Sequence, residues 1–308
     1  MAFPLNTGYP AYSGTVIPTL WAKKMLERFY DASVVPMISQ TDYEGEIRNQ
    51  GDKVIINQVP TININAYTMG QQLTLQYPGS STVTLNIDQG LSWSFALDDV
   101  ADAQAMTNLM TPWAENASEE LKISVDTDVL SFIKTLADAS NSGAAAGRIS
   151  GAINLGVTGT PVQITSGNVL NFIISMGQVL DEQNIPETDR KLVIPAWMAA
   201  LLKQSNLQQA SITGDAVSIV RNGKIGMVDR FEVYVSNLLP TATDTSTGTP
   251  KCWYVYAIHP RALTFASQLT RTETIRSELT FATIMRGLMV YGRQVVLPKA
   301  FSVGYVKQ

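Results

Sequence analysis

The stretch NQVPTININAYTMGQQLTLQYPGSSTVTLN, residues 57–86, holds no Asp, Glu, Lys or Arg, and the uncharged run extends from Val54 to Ile87 between Lys53 and Asp88. Val, Ile, Thr and aromatic residues crowd both ends, and Val83, Leu85 and Ile87 alternate with polar residues at the period of a half-buried strand. The reading is two strands, KVIINQVPTIN (53–63) and STVTLNIDQGLSWSFAL (81–97), joined by INAYTMGQQLTLQYPGS (64–80). That connection is too long for a tight hairpin turn, so a broad tip is expected. A two-stranded ribbon is marginal in water and its open edges invite pairing, so this one is expected to lie on a neighbour.

Composition points the same way. The chain has 308 residues, of which 45% are apolar and 16% charged, against about 25% charged in a typical globular protein. So little charge implies that much of the surface ends up against other chains. The length suits two domains or one domain with large extensions. A net charge of −4 lacks the basic excess of a sequence-reading nucleic-acid binder. Cys252 is the only cysteine, which excludes an intrachain disulfide framework and a cysteine zinc site. The amino terminus has neither the basic start nor the apolar core of a secretory signal, and no stretch is long and apolar enough for a membrane span.

On either side of the ribbon the pattern changes. Residues 1–20 are uncharged and rich in Pro, Gly, Tyr and Thr, an extended arm whose Phe3, Tyr9, Tyr12 and Ile17 favour docking on a neighbour. A short amphipathic helix follows over 17–30, with Trp21 on its apolar side. After the ribbon, Asp98, Asp99 and Asp102 read as acidic residues at a helix start, and Thr111-Pro112 as the start of a long helix in which Trp113, Ala117, Leu121, Val125 and Val129 recur every four residues. NSGAAAGRISGAINLGVTGTP (141–161) is a Gly- and Ala-rich joint. Beyond it, helices over 168–183 and 196–204 alternate with strands at 191–195, 223–228, 231–236 and 252–258, a polar exposed loop fills 237–250, and a long extended segment over 283–306 breaks at Pro298.

Catalytic and metal-binding signals are weak. His259 is the only histidine, stands before Pro260 at a strand end, and is read as structural. Asp126 and Asp128, two apart on a helix, face different ways and are read as a solvated face. Gly223-Lys224-Ile225-Gly226 lacks the spacing of a phosphate loop and is read as a turn. Tyr67, Met69 and Tyr77 lack the interleaved Lys or Arg of a base-stacking platform. The sequence therefore offers no catalytic residue, no metal ligand and no cofactor site.

Three segments carry a family likeness: GDKVIINQVPTI with STVTLNIDQGLSWSFALDDVADAQA, GKIGMVDRFEVYVSNLLP, and HPRALTFASQLTRTETIRSELTFATIMRGLMVYGRQVV. With the order of elements they resemble the major capsid proteins of tailed phages, whose shell fold is that of phage Hong Kong 97. The resemblance implies an α+β fold with an N-terminal arm and short helix over 1–49, an extended two-stranded loop over 50–97, a peripheral domain over 98–162 and 279–308 with a spine helix at about 112–138, and an axial domain over 163–278. It implies self-assembly through pentamers and hexamers into an icosahedral head around genomic DNA, built in the host cytoplasm and residing in the virion. The subunit contacts expected from it are Val54, Ile56, Ile62, Ile64, Tyr67, Met69, Leu73, Leu75, Tyr77 and Val83 in the loop, and Phe3, Tyr9, Tyr12, Ile17 and Trp21 in the arm.

The partners it implies are copies of the chain itself, a scaffolding protein, portal and decoration proteins, and double-stranded DNA held without sequence preference. Some family members cross-link through a loop Lys; here no Lys stands between Lys53 and Lys122, so no such cross-link is expected. An encapsulin-like nanocompartment and a two-domain cytoplasmic enzyme are the alternatives, with a surface adhesin or fibre as a further one.

Overall fold

The computed structural model describes residues 33–42, 53–60, 62–99, 110–205, 226–246, 248–278 and 280–308. The arm residues Phe3, Tyr9, Tyr12, Ile17 and Trp21, the helix read over 17–30, Asp102 and Gly223–Ile225 lie outside them.

A mixed sheet forms the body. Its strands are β4 (Val162–Gln163), β5 (Arg190–Ile194), β6 (Met227–Val228), β7 (Phe231–Val235), β8 (Thr241–Thr243), β9 (Lys251–Ile258) and β12 (Phe301–Lys307), in the order β4-β12-β9-β5-β7-β6 with β8 also paired to β9. β5 and the inner residues of β9 read as nearly unbroken apolar runs because both of their faces are covered. Leu192, Val193, Ile194, Val255 and Ile258 have no solvent exposure. One cover is helix α3 (Val169–Glu182), whose Val169, Phe172, Ile173, Met176 and Leu180 sit at helical spacing and are buried. Helix α4 (Ala196–Lys203) buries Met198, Ala199 and Leu202.

Two expectations change here. The resemblance groups the closing segment with the long helix, but β12 pairs antiparallel with β9 over its whole length and parallel with β4, between which it is inserted. The loop at 237–250 is not simply exposed. Thr241–Thr243 pairs with β9, and Asp244 is buried and accepts hydrogen bonds from Gly159 N at 2.9 Å, Ser246 N at 2.7 Å and the Tyr305 hydroxyl at 2.9 Å. These bonds, led by the one from Gly159, hold its carboxyl at about 2.

The long helix α2 (Met110–Ile133) spans about 36 Å at 1.5 Å per residue. Its second half enters the core through Val125, Val129, Leu130 and Ile133, and buried Tyr256 on β9 donates to the carbonyl of Leu130 at 2.8 Å, serving one of the acceptors a helix end leaves open. Asp126 and Asp128 do face different ways, but neither is merely solvated. Asp126 is 2% exposed and accepts from the Ser33 hydroxyl at 2.8 Å and from the N–H groups of Val34 at 2.6 Å and Val35 at 3.4 Å. It thereby caps the one-turn helix α1 (Val35–Ile38) across more than ninety residues of sequence. Burial nonetheless pushes its carboxyl above the usual range. Asp128 accepts from the Tyr291 hydroxyl at 2.7 Å and pairs with Arg293, whose guanidinium lies over the Phe132 ring.

A second, three-stranded sheet of order β10-β11-β3 touches this helix: β3 is Gln89–Asp98, β10 Leu263–Arg276 and β11 Ala282–Val295. β3 alternates, with Leu91, Trp93, Phe95 and Leu97 on the more covered face. Phe95 meets Trp113 of α2 edge to face at 5.7 Å between ring centres. Trp93 pairs with Gly287 across the sheet. A Cβ on Gly287 would fall 2.4 Å from the indole, so this position has to be glycine for the ring to lie where it does. The acidic pair at the end of β3 is not only helix-start charge, since Asp99 forms a two-pronged pair with Arg276 at the end of β10.

Candidate assembly interface

The uncharged stretch splits into a paired base and an open extension. Its base is a ladder of β1 (Lys53–Asn57) and β2 (Thr82–Asn86), joining Lys53 to Asn86 and Asn57 to Thr82. Ile56 and Leu85 are buried there against Ala266 and Val296, with Val54 and Ile87 packed alongside. Ile56 thus packs within its own chain, and Val54 and Val83 are half-buried. The second strand read over 81–97 is really two: it breaks at Ile87-Asp88, and its second half belongs to the other sheet.

Beyond the base the two limbs run out without a main-chain ladder, yet they keep its register. Gln58 N donates to Ser81 O at 2.8 Å, and the Ser81 hydroxyl to Gln58 Oε1 at 2.8 Å. Five residues further out, Asn63 N donates to Gln76 Oε1 at 3.1 Å and Gln76 Nε2 returns a bond to Asn63 O at 2.8 Å. Another five bring Thr68 opposite Gln71, with Gln71 N on Thr68 O at 3.0 Å and both Thr68 donors on Gln71 Oε1. The tip is therefore the tight turn Met69-Gly70, with Gly70 at φ +85°, and not the broad loop expected from the length of the connection. Pro60 and Pro78 explain why the ladder stops at the base, since neither has an N–H to contribute.

This extension is where the expected contact residues gather. Ile62, Ile64, Tyr67, Met69, Leu73, Leu75 and Tyr77 are all exposed, Ile64 at 92%, Met69 at 100% and Tyr77 at 90%. Ile55 and Val59, which are not among the expected contacts, are exposed as well. So many large apolar side chains together in water form a patch of the kind that serves as a binding surface in soluble proteins. Exposure of Val59 could have been inferred from Pro60 beside it. Gln58 ties the root of the extension to the body through its amide bond to Val296 O at 2.9 Å.

Charge is placed elsewhere. Around the far end of the β10–β11 hairpin, Arg286 and Arg271 share Glu273, and on the body Arg190 and Arg230 share Asp181. Glu182 accepts from Ser150 N at 3.0 Å and Ile149 N at 2.7 Å, which, led by the Ser150 bond, holds its carboxyl at about 2 and fastens the glycine-rich joint to α3. His259 Nδ1 accepts from Arg261 N at 3.3 Å in the short turn after β9, and burial lowers its pKa. It is placed as a turn cap. No group of three His, Cys, Asp or Glu residues able to hold a metal occurs among the described residues, and no helix among them is long and apolar enough to cross a membrane.

Residues 81–303 match the family described as phage capsid protein, well over half of the chain. No curated protein sequence matches it. Among solved structures, a chain from Mycobacterium phage Che8 is 26% identical with a TM-score of 0.78, covering 94% of this chain and 97% of that one. A chain from the capsid of cyanophage P-SCSP1u is 17% identical with a TM-score of 0.73, over 95% and 94%. A chain from the mature capsid of bacteriophage PhiM1 is 16% identical with a TM-score of 0.67, over 95% and 92%. The nanocompartment and enzyme alternatives gain nothing from these likenesses. The chain belongs to the phage capsid protein family and is a capsid shell subunit with the α+β fold of the Hong Kong 97 type.

Proposed function

We propose that this subunit builds the icosahedral head of a tailed phage, assembling through pentamers and hexamers in the host cytoplasm and enclosing double-stranded DNA. The observation that carries this reading is the uncharged, exposed extension between Gln58 and Ser81. In a lone chain it is a liability; on a shell each neighbour covers it. Apolar burial contributes about 25 cal/mol per Å², so a modest contact repeated over every subunit stabilises a closed surface. An uncharged contact also avoids the cost of desolvating ions where the geometry varies between five- and six-fold positions.

The net charge of −4 suits DNA held by confinement and non-specific contact in place of tight binding. We assign the chain a structural role without catalysis, a scaffolding protein as assembly partner, and portal and decoration proteins as partners in the finished head. The domain division given above is part of the same proposal, with β12 reassigned to the axial sheet. The absence of Lys between Lys53 and Lys122 supports a shell held without loop cross-links, so intact-mass analysis of dissociated particles is expected to give monomer masses only.

Electron microscopy of the purified chain, expressed alone and with its scaffolding protein, tests the reading. Closed shells tens of nanometres across are expected. A uniform monomer or dimer under both conditions would contradict it.

A further inference from the structure

Among the described residues the chain passes between the body sheet and the part formed by α2 and the three-stranded sheet at three places: from α2 to β4, from β9 to β10 and from β11 to β12. Each crossing contains a single turn of 3₁₀ helix, at Ala139–Asn141, Pro260–Ala262 and Pro298–Ala300. The three turns are bonded to one another. Asp138 N donates to Pro298 O at 3.1 Å, His259 N to Ala300 O at 3.0 Å and Val296 N to Ala262 O at 2.8 Å. The Asn141 side chain closes the group. It is fully buried, its Nδ2 donates to Lys299 O at 2.8 Å and Phe301 O at 3.0 Å, and its Oδ1 accepts from Gln183 Nε2 at 2.9 Å. Both amide hydrogens and the amide oxygen are thus engaged, and a buried polar network so satisfied selects one arrangement.

Apolar packing also spans the boundary, for Tyr291 and Val295 of β11 share a core with Ile258 of β9 and Phe301 of β12. Such packing is non-directional and tolerates a small rotation, whereas hydrogen bonds weaken as donor and acceptor turn out of line. We infer that the three turns act as one clasp, closed by Asn141, that sets the angle between the two sheets and through it the curvature of the shell. The inference rests on the shell reading and adds to it a device within the subunit. Short turns at the ends of elements are where a few residues absorb a rotation between more rigid parts. In a closed assembly a change in subunit shape is repeated at every contact, so a small rotation at the clasp alters where the surface closes. Asn141 is therefore a positioning residue, and its loss should act on particle geometry beyond its effect on stability.

The full-length chain carrying Asn141→Ala tests this beside Ile194→Ala, which truncates a buried side chain of β5 outside the clasp. Gln183→Ala removes only the bonds to Asn141 Oδ1 and the Ser140 hydroxyl, and serves as the clasp variant should Asn141→Ala not fold. Hydrogen exchange on the unassembled subunit reads the coupling between turns. In the clasp variant, exchange at His259 and Val296 is expected to rise together with that at Asp138, by about tenfold more than at Leu192 of β5. A rise confined to Asp138, or no greater than at Leu192, would overturn the clasp. Electron microscopy of assembled particles reads the curvature. The clasp variant is expected to give a spread of diameters about twofold wider or more, or to fail to close, while Ile194→Ala gives shells of the unaltered size. Unchanged diameters in the clasp variant, or the same change in both, would overturn the link to curvature. Absence of shells from the unaltered chain would contradict the shell reading and this inference with it.

Discussion

Ile194 and Ile64 are the same residue type in extended backbone, and one has no solvent exposure while the other is 92% exposed. The difference lies in the partners that the chain itself supplies. Around Ile194, β7 and β9 pair with β5, and α3 and α4 contribute to the same buried core, so the strand is satisfied within one subunit. Around Ile64 there are only amide rungs between two limbs. Similar strand-forming chemistry thus gives a core in one place and an exposed apolar ribbon in the other, and the two regions should answer differently to the same kinds of change.

The largest effect on the lone subunit is expected in the sheet. Ile194→Ala should lower subunit stability by about 2–5 kcal/mol in urea unfolding, the transfer and cavity cost of a truncated core side chain. A smaller loss, about 1–3 kcal/mol, is expected for Asp126→Asn, which turns one acceptor of the cap on α1 into a donor facing the Val34 N–H. Hydrogen exchange should report it as faster exchange at Val34 and Val35. Gly287→Ala should cost about 1–3 kcal/mol through overpacking, and a red-shifted Trp fluorescence would show that Trp93 has moved.

A pH series sharpens the comparison further. Asp244 and Glu182 have folded-state pKa values of about 2, below the roughly 4 of an unfolded carboxyl. The unfolded chain then takes up protons first as pH falls, so their stabilisation is complete above about pH 5 and is lost progressively as the pH drops towards 2. Asp244→Asn should therefore flatten the acid side of the stability curve, read as the urea midpoint against pH. The extension has no Asp, Glu, Lys or Arg to contribute to such a curve. The smallest effect on the lone subunit belongs to it: Ile64→Ala should stay within about 0.5 kcal/mol of the unaltered chain, and its consequence should appear only in particle yield.

Much of the fold was legible because its signals are local. The helical spacing of Val125 and Val129, the apolar run at Leu192–Ile194 and the break at Pro298 each fall where the structure has a helix, a buried strand and a turn. What stayed hidden depends on distant partners. The insertion of β12 between β4 and β9 is a matter of strand order, and no local pattern in FSVGYVK encodes it. Burial of Asp126 depends on Ser33, Val34 and Val35, and burial of Asp244 on Gly159 and Tyr305, whereas the sequence around each reads as polar surface.

For the ribbon, lack of charge pointed to an exposed apolar segment but gave no geometry. The near-symmetric placement of Pro60 and Pro78 about Met69-Gly70 is the one local cue to the tight tip.

Amide hydrogen exchange compared between dissociated subunits and closed shells tests the central claim most directly. Residues 62–77 have few main-chain partners in the subunit and should exchange rapidly there, while β5 and β9 are protected in both states. The account predicts that 62–77 become strongly protected on assembly, with little change in the central sheet. If 62–77 exchanged as fast in closed shells as in free subunits, the ribbon would not be a contact between copies.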